Sequence, residues 1–572
     1  MVAEPAFTPS RSIVLASDRP ATIAELLALA VLAALISVLF TGYLPVYSNN
    51  IYHLPILEKA WAKPEFAADA FVQSLRYFSS GFWLSVAGVG QWVEPRLFLG
   101  MCFALSRIAF FMACFAVAAA LGYRGLRVNV LFAGLLAASS LLRGATIGEG
   151  ALNIDYFSHS ELANATLLTG FAAALAGRFG LAAFVVCVTF FLNAFMAVWM
   201  LPPLALAALL ALAQRQIGLW VLILRVTAGV AAGAPVVAPV LASVLGNPEA
   251  GRTTPIPYED FLWGFYPYHF FVESFSRKDL AFLAFLLAAL GVISAAMGRK
   301  RAGFAALALG ACAVLAIGAI LPHVSDDRFL LNLHLMRSAV VLQLLVGVGA
   351  AILVASRLAD ARTRSDNALA LLMTAAMALS RLALPALVLL LALDRFAPRL
   401  VARIPGHGRL ALLGQAFAAL LAAGIVVWAG SAAVSRSLAT TSQISLWAEA
   451  GDWARANTAP NAVFLLPVVD EAVDGKPASV DLVAASIGFV ETSKRSIWIQ
   501  GKYGAAVMWS PSYFPIFEAR YRAVTALGSL EARLAYARAH GVDYVAAPCA
   551  TASTSEPLFR RAWLCIYSGK DS

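Results

Sequence analysis

The chain has 572 residues, of which 61% are hydrophobic and only 13% charged, with a formal net charge of +10. A mean hydropathy of +0.79 excludes an ordinary soluble enzyme and points to a chain that lies largely in lipid. The positive excess sits in short connections, and basic and aromatic residues are not interleaved as in a single-strand-binding surface, so nucleic acid is excluded as the expected partner.

Residues 1–21 are polar and mixed in charge and read as a cytoplasmic tail, so the first apolar run is a retained span rather than a cleaved signal. Residues 22–434 then alternate apolar runs with short polar connections. The runs are Thr22 to Leu44, Leu97 to Leu121, Val128 to Leu142, Leu162 to Gly177, Leu181 to Phe195, Val198 to Leu212 and Ile217 to Leu245. They continue with Leu280 to Met297, Phe304 to Leu321, Leu335 to Ala355, a pair from Ala368 to Phe396 broken at Ser380 and Arg381, and Leu410 to Val434. This predicts an all-α polytopic membrane bundle of about thirteen helices, several too short to cross ~30 Å of hydrocarbon unaided. The run with Pro202 and Pro203 is tolerable where neighbours satisfy the freed backbone.

Short loops rich in Arg and Lys stay cytoplasmic. With the N-terminus inside, the inner loops hold Arg124 and Arg127, Arg178, Arg215, Arg299 with Lys300 and Arg301, Arg357 to Arg364, and Arg395 to Arg409. Every inner loop is then basic, provided that 368–396 is an out-and-back hairpin. The long outer connections are 45–96, 143–161, 246–279 and 322–334, and the remainder, 435–572, is an extracytoplasmic α/β domain.

Five of the seven histidines, His53, His159, His269, His323 and His334, fall in the outer connections together with most of the candidate acids. In the first, Glu65 and Asp69 are four apart on an expected amphipathic interfacial helix, so Asp69 is either a base beside an outward cavity or part of a solvated face. In the second, Glu149, Asp155, His159 and Glu161 are close, and Asp155 could orient the imidazole of His159 for proton transfer. N-capping of the following span is the competing reading. In the third, Trp263-Gly-Phe-Tyr-Pro-Tyr-His-Phe-Phe, with Tyr268 and His269, is either an interface belt or a sugar-stacking surface. Arg337 begins a span on the outer side and Arg107 lies some ten residues inside one; both suit a lipid phosphate, with snorkelling and an internal hydrogen bond as the alternatives.

From Leu446 the pattern becomes helical to Asn457, then strand-like at Ala462-Val-Phe-Leu-Leu-Pro. Helical stretches from Tyr513 to Ala526 and Leu530 to His540 precede Gly541, a helix cap, and a further strand, which predicts a partly parallel sheet. Lys494, Arg495 and Lys502, with Trp498, Tyr503 and Trp509, could cover the bundle mouth and meet an anionic substrate, or rest on lipid headgroups. Cys549 and Cys565 are expected to pair if the domain is extracytoplasmic. The other four cysteines lie in spans as small apolar residues.

This layout, with Asn50-Ile-Tyr-His-Leu-Pro to Asp69, Tyr266-Pro-Tyr-His-Phe, and Ala462-Val-Phe-Leu-Leu-Pro with Ser493-Lys-Arg-Ser, resembles the GT-C superfamily of membrane glycosyltransferases over nearly the whole chain. The resemblance implies transfer of a sugar from a polyprenyl-phosphate donor to an acceptor outside the cytoplasmic (inner) membrane of a bacterium. It makes Asp69 the base, with Asp155 or Glu149 assisting, and puts Arg337 or Arg107 near the phosphate. His53, His159, Tyr268, His269, Lys494 and Arg495 are the further substrate-binding candidates, and a divalent metal, Mg or Mn, is allowed. The superfamily's acids normally follow the first span closely, whereas this chain has Ser48-Asn49-Asn50 there. A lipid or glycan flippase and a non-catalytic scaffold of an envelope-glycan assembly are the competing classes.

Overall fold

Each of the thirteen apolar runs folds as a helix in the computed structural model of the protein, which describes residues 18–145, 147–298, 301–361, 363–379, 383–396, 408–469, 481–549 and 556–570. In chain order these helices are α1 (Ile23–Thr41), α2 (Pro95–Ala120), α3 (Leu126–Ala138), α4 (His159–Leu175), α5 (Phe179–Leu192), α6 (Ala194–Ala213) and α7 (Leu219–Leu245). They continue as α8 (Arg277–Ala296), α9 (Arg301–Ile320), α10 (Ala339–Asp360), α11 (Arg364–Ala378), α12 (Ala383–Phe396) and α13 (Arg409–Asn457). Among the described residues, eight helices are long and apolar enough to cross a membrane. Helices α3, α4, α5, α11 and α12 have 13 to 17 residues, roughly 20–25 Å at 1.5 Å per residue, which is short of the hydrocarbon thickness. The break expected at Ser380 and Arg381, the basic pair Arg299 and Lys300, and most of the 395–409 loop lie outside the described residues.

Small residues set the close crossings. Helices α5 and α7 meet where Gly229 and Gly233 are spaced four apart; a Cβ on Gly229 would stand 2.1 Å from the Gly180 carbonyl oxygen, and one on Gly233 2.4 Å from Cys187 Cβ. Such spacing lets two backbones approach in lipid, where dispersion rather than water exclusion drives helix association. Helix α10 is the bundle's centre, buried along almost its whole length and packed against α3, α8, α9 and α11. Leu142 fills the gap that Gly347 leaves beside it.

Helix α13 corrects the domain boundary read at residue 435. It runs unbroken for 49 residues, roughly 70 Å, with exposed Leu413, Phe417, Leu420 and Trp428 in its first half and buried Trp447, Ala450 and Ala454 in its second. The last span is therefore also the first helix of the C-terminal domain. That domain adds α14 (Ile487–Ser493), α15 (Phe514–Thr525) and α16 (Leu530–His540), the last closed by Gly541 in the left-handed conformation at φ 68°.

Two short strands, β1 (Gly144–Ala145) and β2 (Ala151–Leu152), form a hairpin in the second outer connection. The domain's sheet comprises β3 (Val463–Leu465), β4 (Ser496–Ile497), β5 (Tyr544–Pro548), β6 (Phe559–Arg561) and β7 (Leu564–Ser568), in the order β4-β3-β5-β7-β6. Strand β3 is parallel to β4 and β5, and the rest is antiparallel. Cys549 and Cys565 form a disulfide at the end of the β5–β7 ladder.

Arg495 is structural. Its Nε donates to Thr458 Oγ1, Nη1 to the Ser493 and Lys494 carbonyls, and Nη2 to the Arg455 and Thr458 carbonyls. All five N–H groups are engaged, three at the end of α13 and two at the end of α14, which leaves none for a phosphate. Arg495→Lys, which cannot reproduce the planar fork, is expected to cost about 2 kcal/mol, read as a lower unfolding midpoint of the C-terminal domain in the full chain; an unchanged midpoint would refute this role.

Candidate functional site at the bundle mouth

The turn between β1 and β2 carries Gly148 at φ 71° and Glu149 at φ 55°. A Cβ on Gly148 would lie 3.0 Å from the Met336 carbonyl group, so this turn rests backbone to backbone on the segment that bears Arg337. Arg337 Nη2 donates to the Glu149 carbonyl at 3.2 Å. The neighbouring His334 is buried and also has positive φ, 50°. Non-glycine residues in this region of backbone space are held there by their surroundings and concentrate at functional sites.

The third connection supplies the partner of Glu149. Tyr266 and Pro267 open a single helical turn, Pro267–Phe270, and the His269 ring stacks on Tyr266 with centroids 5.8 Å apart. His269 Nε2 meets Glu149 Oε2 at 2.7 Å. This hydrogen bond, with help from Arg337 and Lys502, holds the Glu149 carboxyl below its usual range. Burial holds His269 below the usual imidazole range, although Glu149 opposes it. At neutral pH the pair is therefore a carboxylate and a neutral imidazole. An ionised carboxylate only accepts, so Nε2 carries the proton and Nδ1 keeps its lone pair. Nδ1 is buried and without a hydrogen-bond partner.

The C-terminal domain completes the cluster. Segment 501–509 lies over the first outer connection: the Tyr503 ring stacks on Phe71 at 3.6 Å, and Trp509 Nε1 donates to the Ser74 carbonyl at 3.1 Å. Lys502 Nζ donates to Asn49 Oδ1 at 2.9 Å, and Tyr52 donates to the Lys502 carbonyl at 2.6 Å. Burial pulls the Lys502 ammonium below its ordinary range, with Glu149 opposing. The outer connections and the C-terminal domain thus bring together the Glu149 carboxylate, the Arg337 and Lys502 cations and the His269 and His334 imidazoles, with Asp481 also acting on Lys502.

Asp69 is not among them. Pro64 starts a 3-10 turn, Pro64–Phe66, that ends before Asp69, so no helix carries Glu65 and Asp69 on one face. Asp69 instead caps the short helix Ala70–Ser74, accepting from the Val72 amide at 3.0 Å. Burial raises its carboxyl, and the groups that act on it besides Val72 and Phe71, Ser496 and Arg520, belong to the C-terminal domain.

Asp155 does not orient His159, because Ser158 is the N-cap of α4 and Asp155 lies outside the helix. The His159 Nδ1 accepts from Trp83 Nε1 at 2.9 Å. Burial raises the Asp155 carboxyl against the pull of Arg107 and Arg436. Arg107 is buried within α2, its guanidinium 4.9 Å from the Phe103 ring centroid, and it donates to the Ile154 carbonyl. It braces the second connection rather than opening onto the mouth.

His53 lies face to face with Trp83 at 3.9 Å, and Tyr268 packs on Phe275. Lys494 pairs with Glu58, which also binds Lys63 at 2.9 Å. Asn49 and Tyr266 also face the cluster, the first from the Ser48-Asn49-Asn50 stretch and the second from the Tyr266-Pro-Tyr-His-Phe motif, though neither is among the candidate site residues of the sequence.

Glu149 is engaged by His269 and flanked by two cations, and among the described residues no three His, Cys, Asp or Glu are grouped to hold an ion. An open cleft of about 310 Å³ is formed by the third and fourth connections, lined by Glu259, Asp260, Trp263, Phe271, Glu273 and His323. No protein-family model and no curated protein matches the chain.

The folded pKa values of His53 and His269 both lie below the unfolded value of about 6.5, for burial in each case. The unfolded chain then binds more protons, so the stability these rings contribute is full above that value and is lost as pH falls towards the folded ones. The unfolding midpoint in nanodiscs is expected to drop between about pH 7.5 and 6, with a shallower drop for His53→Phe. Parallel slopes for the two proteins would count against the assignment.

Proposed function

We propose that this chain is a membrane-embedded glycosyltransferase that moves a sugar from a polyprenyl-phosphate donor to an acceptor hydroxyl on the extracytoplasmic side. The observation that carries the reading is the convergence of the Glu149–His269 pair with Arg337 and Lys502 at the covered bundle mouth. His269 Nδ1 takes the proton of the acceptor hydroxyl, whose oxygen attacks the anomeric carbon. The bond from that carbon to the phosphate oxygen breaks, and its electron pair leaves with the phosphate, where Arg337 and Lys502 offset the charge. Glu149 fixes the ring and stabilises the imidazolium, as a carboxylate does for any imidazole base.

The open cleft supports an acceptor sugar. Its volume is at the lower end of small-molecule sites, which run from ~300 Å³. Trp263, about half exposed, offers a face for a sugar ring, and the carboxylates of Glu259 and Asp260 suit its hydroxyls.

Envelope glycans and lipid-linked sugars from a deletion strain, measured by mass spectrometry after complementation, test the reading. Glu149→Gln and His269→Gln are expected to lower product at least 10²-fold, with the lipid donor accumulating, while Asp69→Asn restores the product. Full product from both mouth variants would sink the proposal.

The basic inner loops support an extracytoplasmic C-terminal domain, and the Cys549–Cys565 bond suits an oxidising compartment. Alkaline phosphatase fused after Ser572 is expected to be active and a green fluorescent protein fusion dark. The reverse result would move the mouth to the cytoplasmic side and remove the outer-face donor.

A further inference from the structure

Behind Arg337 the bundle encloses a cavity of about 30 Å³, lined in part by Ser160, Asn193, Trp199, His334 and Arg337. That is room for about two waters, since one needs ~10–15 Å³ by this measure and two to four polar partners. The lining supplies them. Asn193 donates to Ser160 Oγ at 3.1 Å, which leaves the Ser160 hydroxyl hydrogen to point elsewhere, and Arg337 Nε has no protein partner.

His334, at 3% exposure, faces this cavity on one side and His269 on the other. The two imidazole centroids are 6.4 Å apart with planes at 67°, and both Nδ1 atoms are buried without a hydrogen bond. Phe195 and Phe270 pack on the His334 ring at 4.9 and 4.8 Å and fix it. At this centroid separation one oxygen fits between the rings when their free nitrogens turn towards each other. Leaving both nitrogens bare would cost a desolvation penalty that one bridging molecule removes.

We propose that the space between His269 Nδ1 and His334 Nδ1 is a hydroxyl-binding site, filled by water in the free protein and by the acceptor hydroxyl during transfer. It rests on the reading of His269 as the base. A neutral His334 protonated on Nδ1 donates to the hydroxyl oxygen, while that hydroxyl donates to His269 Nδ1. His334 therefore selects and aligns the nucleophile, and the cavity supplies the water that an acceptor displaces. Arg337, Glu149 and Lys502 are the charged groups that act on the two rings.

The test uses the full chain in nanodiscs, labelled with ¹⁵N-histidine, and reads water-to-imidazole transfer by solid-state NMR. Wild type is expected to show water contact at Nδ1 of both rings. His334→Phe should remove the contact at His269 Nδ1 and leave the Nε2 signal bonded to Glu149 unchanged. Ser160→Val, which fills the cavity from another helix, should weaken both contacts if His334→Phe does not fold. A dry His269 Nδ1 in wild type, or one unmoved by both variants, overturns the site.

In the glycan assay, His334→Phe should lower product about tenfold and His334→Asn should restore part of it, because its amide can donate in place of Nδ1. If His269→Gln abolishes product while His334→Phe keeps all of it, the hydroxyl site fails and the base stands. If His269→Gln also keeps full product, the transferase reading itself fails, whatever the hydration result.

Discussion

The apolar core shared by the first outer connection and the C-terminal domain is what the mouth depends on. Leu54, Leu57, Phe71 and Leu75 from the connection are buried in one cluster with Trp447, Phe464, Tyr503, Phe514 and Phe517 from the domain. Each such side chain contributes about 1.5–3 kcal/mol when fully withdrawn from water. Segment 501–509 therefore cannot settle without the connection, and Lys502 reaches Asn49 because the aromatic packing sets its height. The chemistry of the site is positioned by contacts that take no part in it.

Electrostatics follows from that geometry. Arg337 and Lys502 face the carboxylate of Glu149, Asp481 also acts on Lys502, and His269 adds no charge at neutral pH. Donors fixed before the reaction need no reorganisation as negative charge develops on a leaving phosphate, and this preorganisation is worth more in a low-dielectric site than in water.

How much of this was legible in the sequence depends on the range of the interaction. The first twelve apolar runs, the helix Leu530–His540 with its Gly541 cap, and the strand within Ala462-Val-Phe-Leu-Leu-Pro are written in neighbouring residues and lie close to the observed elements, whereas the last run, Leu410 to Val434, continues as helix to Asn457. The sequence suggests an acid–imidazole pair at Asp155 and His159, whereas the structure pairs Glu149 with His269. Asp155 and His159 would share a face only if a helix began before Asp155, and Ser158 starts it instead. Glu149 and His269 are 120 residues apart, and nothing in either neighbourhood announces the other. Arg495 misled for a related reason: a cation beside Lys494 reads as a surface charge, and the carbonyl groups it caps come from a helix end some 40 residues earlier.

The continuity of α13 constrains how a substrate could enter. A domain joined to a bundle by a flexible linker can swing away from it, but here the join is a helix whose hydrogen bonds run without a break through residue 435 and whose end Arg495 closes. Sharp kinks arise at Pro, at Gly/Ser pairs, at bulges or at inserted waters; residues 409–457 contain no Pro, and their Gly430-Ser431 pair lies before residue 435 within an unbroken helix. The domain is also tied to the top of α2 by Arg96, whose guanidinium meets the buried Glu491 through two contacts of 2.5 and 2.6 Å. With the domain held at both ends, a molecule can meet Glu149 without displacing it, because the Glu149 side chain is more than half exposed as it stands.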